Sequence, residues 1–245
     1  MYATRGSGYT VHRAPDPTVE RLVRRALGDA RTVVNVGAGS GSYEPSDRVV
    51  VAVEPSLTMI RQRSPLSASV VRARAEDLPI PDKAFDVAMA TMTVHLWGDA
   101  ERGLAELRRV SNRQVVLTWD QSVMNRFWLV RDYFPDIAVR ESGLAASSFI
   151  ESALNNMGAD VRSTVVPVPS NCTDGFLGAY WRRPRAYLDD SVRRSISIFH
   201  ALDGGVIAAG VEKLDDDLRS GRWTEDQRNL LGLRDLDLGY RLLCT

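Results

Sequence analysis

Gly37, Gly39 and Gly41 fall on alternate positions and end the apolar run from Thr32 to Val36. A β-branched run that stops at closely spaced glycines predicts a buried strand opening into a loop whose backbone approaches a ligand. A second apolar run, Val49 to Val53, ends on Glu54. A glycine loop after one strand and a carboxylate after the next make the usual nucleoside-binding arrangement of a doubly wound sheet.

The spacing sorts the nucleoside ligands. A dinucleotide loop is Gly-x-Gly-x-x-Gly, and Ser42 stands where its third glycine belongs. A P-loop fails too, because no Gly-Lys-Ser/Thr follows. S-adenosylmethionine (SAM) carries a nucleoside without phosphate. Its amino-acid end needs backbone groups at close approach, and its ribose diol needs a carboxylate acceptor.

One residue stands out as a candidate base. His95, in Thr93-Val94-His95-Leu96-Trp97, follows a fourth apolar run at the place where the carboxyl ends of parallel strands open on the ligand crevice. Two readings stand side by side, a general base and a hydrogen-bonded histidine that shapes the pocket. His12 and His200 have weaker claims, His200 being read as core or surface on a helical stretch.

The elements that must position these residues follow from periodicity. Strands are expected at about 32–36, 48–53, 69–73, 85–90, 114–119 and 161–168, with a last one at 237–243 on a sheet edge. A helix is expected over Val19–Leu27, with Thr18 as its cap and Gly28 at its end. Others start at Pro55-Ser56, span Ala100–Val110 and span about 147–157. Pro45 breaks the stretch 42–47, so the helix that should follow the glycine loop is truncated or displaced. Residues 174–220 are expected to be largely helical, interrupted at Pro184 and at Gly204-Gly205. The alternation predicts a doubly wound, mostly parallel seven-stranded α/β sheet with a helical C-terminal insertion.

Composition sets the outer limits. A chain of 245 residues can bury one sizeable core. Lys plus Arg and Asp plus Glu are both 31, so no global field recruits nucleic acid or an anionic membrane. No apolar run reaches membrane-spanning length and no signal-peptide core is evident, which gives a cytoplasmic expectation. Two cysteines and three histidines give no disulfide framework and no metal-ligand spacing.

The string Val36-Gly37-Ala38-Gly39-Ser40-Gly41, then Glu54, then Ala75-Glu76-Asp77-Leu78-Pro79, then Phe85-Asp86-Val87, resembles class I SAM-dependent methyltransferases. Within them it is similar to the small-molecule branch that includes the ubiquinone and menaquinone methyltransferases. The resemblance covers about residues 9–120, with an echo in the last strand. It implies a Rossmann-like methyltransferase fold and a single domain over residues 1–245, with helical and aromatic additions at about 121–220 forming the acceptor side. It places Gly37, Ala38 and Gly39 at the methionyl part of SAM, and Glu54 on both ribose hydroxyls. Pro55, Ser56 and Met59 would flank ribose and adenine, Ala75 and Glu76 would lie at the adenine edge, and Thr91 and Met92 near the sulfonium. Tyr9 and Arg13 resemble an N-terminal pair that closes over the cofactor, where an arginine could meet its carboxylate.

Three positions depart from the pattern. Asn35 replaces an aspartate common before the first glycine, Arg74 replaces an acidic residue that contacts adenine, and Ser111-Asn112 stands in place of a Pro-Gly-Gly turn. The resulting expectation is methyl transfer to a small-molecule acceptor, O- or N-methylation being favoured. Trp97, Trp119, Phe127, Trp128 and Tyr133 could form an apolar acceptor pocket or ordinary core. Trp181 with Arg182, Arg183 and Arg185 is read as a solvated helix face or an anion-binding cluster, and Asp215-Asp216-Asp217 as surface. A catalytically inactive SAM-binding scaffold is the alternative that Asn35 and Arg74 leave open; a nucleotide-binding oxidoreductase is disfavoured by the glycine spacing. No Asn/Asp-Pro-Pro-Tyr/Phe follows the fourth strand and no proline precedes Cys172 or Cys244, which argues against the common nucleic-acid base methylases.

Overall fold

The computed structural model describes residues 13–245. Its strands are β1 (Thr32–Val36), β2 (Val49–Val53), β3 (Ser69–Val71), β4 (Phe85–Thr91), β5 (Ser111–Trp119), β6 (Arg162–Val165), β7 (Val168–Pro169), β8 (Asp235–Leu236) and β9 (Tyr240–Cys244). Seven of them form one sheet in the order β3-β2-β1-β4-β5-β9-β6, while β7 and β8 pair as a separate ribbon. Every pairing from β3 to β5 is parallel; β9 runs antiparallel to both β5 and β6.

Period-two alternation decides which residues face which layer. Val33, Val87, Val115 and Leu117 enter one core with α1 (Pro17–Leu27) and the C-terminal helices. Val34, Ala88 and Val116 enter the other, against α3 (Ala100–Val110) and residues Ile150 and Leu154 of the helix Ser147–Asn156. Between them the chain adds a four-residue helix, α2 (Leu57–Ile60), after β2. After β5 come α4 (Gln121–Met124), a π turn at Leu129–Tyr133, α5 (Asp136–Glu141) and then Ser147–Asn156 as α6. The last helices are α7 (Asp190–Ser195), α8 (Gly204–Ser220) and α9 (Arg222–Asp226). Among the described residues no helix is long and apolar enough to cross a membrane.

Several boundaries differ from the sequence expectation, each for a local reason. The cap of α1 is Asp16, whose carboxylate accepts from the Thr18 and Val19 amides; Thr18 lies inside the helix because Pro17, lacking an N–H, takes the first position. The strand expected over 161–168 divides, because Pro167 cannot donate to a ladder, and its second half pairs with β8. The last strand begins at Tyr240 and lies between β5 and β6, so it is internal, and the fully exposed β6 is the edge. Residues 237–239 instead turn the chain, with Gly239 at φ 92° and its amide on Asp237. Residues 174–183 are not helical, and Gly204-Gly205 begins α8 under an Asp203 cap. The stretch after the glycine loop follows the break at Pro45 and carries no helix: the chain passes by turns from Gly41 to β2.

Candidate active site

The carboxyl ends of β1, β2 and β4 bound one end of a cavity of about 960 Å³. The glycine loop sits there in left-handed backbone, with Gly37 at φ 71° and Gly39 at φ 53°. The amides of Gly37 and Ala38 donate to the Val53 carbonyl, which fixes the loop against the end of β2. A side chain at Gly37 would strike the Thr93 side chain. Glu54 is buried, and its two carboxylate oxygens accept from the Gly39 and Ser56 amides, both at 2.8 Å. Ser56 in turn caps α2, so the carboxylate and the helix start hold each other in place.

The missing helix is replaced by a buried ion pair. Arg63 donates to both oxygens of Glu44, and the two side chains are only 5% and 7% exposed. Arg63 also donates to the Gly39 carbonyl, and Asn35 Nδ2 donates to Glu44. Asn35 is thereby oriented by a carboxylate nearby in the chain, while its Oδ1 stays buried without a hydrogen-bond partner.

Arg13, Gly37, Ala38, Gly39, Glu54, Pro55, Ser56, Met59, Ala75, Glu76, Thr91, Met92 and His95 all line this single cavity. Tyr9 and His12 lie outside the described residues. Arg13 meets Asp174, a buried carboxylate that also accepts from the Tyr43 hydroxyl at 2.7 Å. Burial, with Asp174 beside it, holds the Tyr43 phenol far above its ordinary range. Glu76 accepts from the Gly98 and Asp99 amides, and Arg74 pairs with it at 3.6 Å. Tyr43 and Met92 are non-glycine residues with positive φ, 62° and 49°, and both line the cavity; such strain concentrates at ligand sites.

His95 lies on a short 3₁₀ turn, Val94–Leu96, with its ring edge-to-face on Trp119 at 4.7 Å. Burial pushes its pKa down to about 4, so the imidazole is neutral at pH 7, and its Nδ1 has no partner. Trp97, the other aromatic residue on that turn, lines the cavity with its Nε1 also unpartnered.

The remaining aromatic expectations divide. Trp119 reaches the site only through His95, while Phe127, Trp128 and Tyr133 are core. Trp128 makes edge-to-face contacts with Tyr133, Tyr187 and Trp223 and donates to the Trp181 carbonyl. Trp181 itself is fully buried in a turn, and Arg182 and Arg183 cap backbone carbonyls, so that cluster is not a solvated helix face. Asp217 is likewise buried, accepting from Tyr133, because the third aspartate of the run falls on the core side of α8.

The apolar wall comes instead from Leu144, Val166, Phe176, Ile198, Ala201 and Tyr240. His200 also lines it, with a ring nitrogen 2.7 Å from the Arg194 carbonyl. So does Glu141, the last residue of α5, which the sequence pattern does not single out: a lone carboxylate at a helix end looks like a solvated one. Burial raises its pKa to about 7.

A family model for a methyltransferase domain matches residues 34–117, the stretch from the glycine loop through β5. Among curated relatives, the rice (Oryza sativa subsp. japonica) chloroplastic 2-methyl-6-phytyl-1,4-hydroquinone methyltransferase 2 is 30% identical over 115 residues, 43% of this chain and 33% of that enzyme. The match thus spans about a third of the rice protein. Among solved structures, a protein of Anabaena variabilis ATCC 29413, described as a methyltransferase of an antibiotic biosynthesis pathway, superposes with a TM-score of 0.88 at 29% identity, covering 96% of this chain and 98% of that one. A SAM-dependent methyltransferase of Thermotoga maritima shares the fold at a TM-score of 0.51 and 23% identity, over 62% of this chain and 73% of that one.

Proposed function

We infer the activity from one premise, that the chain belongs to the class I SAM-dependent methyltransferases, and we propose that it methylates a small, largely apolar acceptor on oxygen or nitrogen. The observation that carries the reading is a set of buried polar atoms without partners. Asn35 Oδ1, His95 Nδ1 and Trp97 Nε1 all belong to residues lining the same cavity. A buried polar group left unpaired costs about 1–3 kcal/mol, so three in one cavity favour a polar ligand there.

The donor set suits SAM. Asn35 Oδ1 is an acceptor for an ammonium group, and each oxygen of Glu54 keeps a lone pair for a ribose hydroxyl. Met59 is buried against the loop, 3.4 Å from where a Cβ on Gly39 would lie, and offers an apolar surface for the nucleoside. Arg13, already paired with Asp174, is the cation on hand for a carboxylate. When bound, SAM supplies an electrophilic methyl group on a positively charged sulfur. The chain's own part is to align the acceptor, exclude water and hold the acceptor's proton. His95, neutral and unpartnered at Nδ1, is placed to accept a hydrogen bond from the acceptor.

On this reading residues 121–220 and β9 form the acceptor side of one catalytic domain, a view favoured by the near-complete overlap with the Anabaena protein. The two unpaired cysteines, Cys172 and Cys244, suit the cytoplasm as its setting. Calorimetry with S-adenosylhomocysteine and with NAD tests the reading. Micromolar binding of the first and none of the second is expected; the reverse result sinks it.

A further inference from the structure

The acceptor wall carries a carboxyl group, Glu141, among mostly apolar side chains, and its placement is built. Glu141 Oε2 lies 3.4 Å from Gln121 Nε2; Gln121 also bonds Asn125 at 2.7 Å and receives the Trp119 indole N–H at 3.1 Å. Trp119 is the residue whose ring meets His95. A continuous chain of contacts thus runs from His95, after β4, through Trp119 and Gln121, after β5, to Glu141 at the end of α5. Glu141 lines the same cavity as His95 and the glycine loop, beside the apolar residues Leu144, Val166 and Phe176.

We propose that Glu141 is the catalytic base toward the acceptor, taking the proton of a neutral aryl or enol hydroxyl, with Gln121 as its positioning residue. The proposal rests on the methyltransferase reading above. In the step, the acceptor O–H bond breaks, its proton goes to a Glu141 carboxylate oxygen, and the electron pair stays on the acceptor oxygen. That pair would form the new bond to the methyl group as the sulfur–methyl bond of SAM breaks, its electrons staying on sulfur and S-adenosylhomocysteine leaving.

Three features favour the assignment. A base works best when its pKa lies near the working pH, and burial brings Glu141 to about 7 while leaving His95 at about 4, too weak a base for the task. An amine beside this carboxylate would be held as an unreactive ammonium ion. The other ionisable groups on the cavity around it do not compete. Tyr240 on β9 is kept protonated by burial, with Glu141 adding to the effect. Arg13 and Asp174 are occupied with each other, His200 is bound to the Arg194 carbonyl, and Arg140 is Glu141's own neighbour on α5.

The test uses the full chain saturated with S-adenosylhomocysteine and two probes, 2-naphthol and its methyl ether, which share a ring and differ by the proton. Fluorescence titration at pH 8 should show the naphthol binding at least about tenfold tighter, a charge-assisted hydrogen bond being worth that much. The advantage should shrink severalfold at pH 5.5, and Glu141→Gln should abolish its pH dependence while leaving S-adenosylhomocysteine affinity unchanged. Equal binding of the two probes, binding of neither, or a pH-dependent preference that survives in Glu141→Gln overturns the assignment. Loss of S-adenosylhomocysteine binding by the wild-type chain would instead remove the methyltransferase reading beneath it.

Discussion

At the glycine-loop end of the cavity the carboxylates Glu44 and Glu54 find their partners within a short stretch of chain. Glu54 is held by backbone amides of Gly39 and Ser56, and Glu44 by Arg63. At the acceptor end, Glu141, Phe176, His200 and Tyr240 come from four separate segments, and burial pushes Glu141 toward its neutral form and holds Tyr240 in its own. Under the proposed activity the contrast matches two tasks. A charged ligand that is always the same is held by a rigid set of dipoles and compensated charges, whereas a transfer that disperses positive charge benefits from a dry wall. Rigidity at one end and low polarity at the other are separate properties, and single substitutions can remove either one.

The largest effect should come from Arg63→Met. It leaves Glu44 buried without its cation, a change that costs about 3–5 kcal/mol, and frees the Gly39 carbonyl. Thermal or urea unfolding of the variant should show that loss, as a fall in Tm of roughly 10 °C or more. A loss below about 1 kcal/mol would mean that the loop end is not held by this pair, and the comparison would fail there.

The same contrast explains which parts were legible in the sequence. The glycine loop, β2 and Glu54 are contiguous, and a glycine spacing or a β-branched run carries its geometry with it. Asn35 reads as a departure in the sequence alone, because its partner Glu44 sits in the proline-broken stretch after the loop, which carries no pattern of its own. Around the acceptor wall, local pattern misleads. Phe127, Trp128 and Tyr133 form an aromatic run that suits a pocket, yet helical insertions after β5 need a core of their own and take these rings for it. Asp217 was disguised by the two aspartates before it, and Glu141 and His200 reach the cavity only through tertiary placement.

Glu54→Ala tests the loop end from the ligand's side. It removes the acceptor proposed for two ribose hydroxyls, and charge-assisted hydrogen bonds are worth about 1.5–3 kcal/mol each. S-adenosylhomocysteine affinity measured by calorimetry should fall by about 100-fold or more. The Gly39 and Ser56 amides also lose their carboxylate, so the loop itself should loosen, seen as faster hydrogen exchange at those amides. A variant that binds within threefold of wild type would place the ribose elsewhere.

The smallest effect, and the sharpest on the acceptor end, is a dependence of stability on pH. Burial raises Glu141 from its ordinary value to about 7, so the folded chain binds more protons than the unfolded one between about pH 4.5 and 7. Stability from this group is therefore lost as pH rises through that window, by about 1–3 kcal/mol. His95 acts in the opposite sense. Its folded value of about 4 lies below the unfolded one near 6.5, so its contribution is present above pH 6.5 and lost as pH falls toward 4. Across the shared range the two slopes oppose each other in the wild type. Glu141→Gln removes one of them while keeping an amide that can still bond Gln121. Urea denaturation at pH 4.5, 6 and 8 should find the variant close to wild type at the lowest pH and more stable by about 1–3 kcal/mol at the highest. Parallel curves for the two proteins would mean that Glu141 titrates as a solvated carboxylate, and the acceptor wall would then differ from the loop end in residue type but not in dryness.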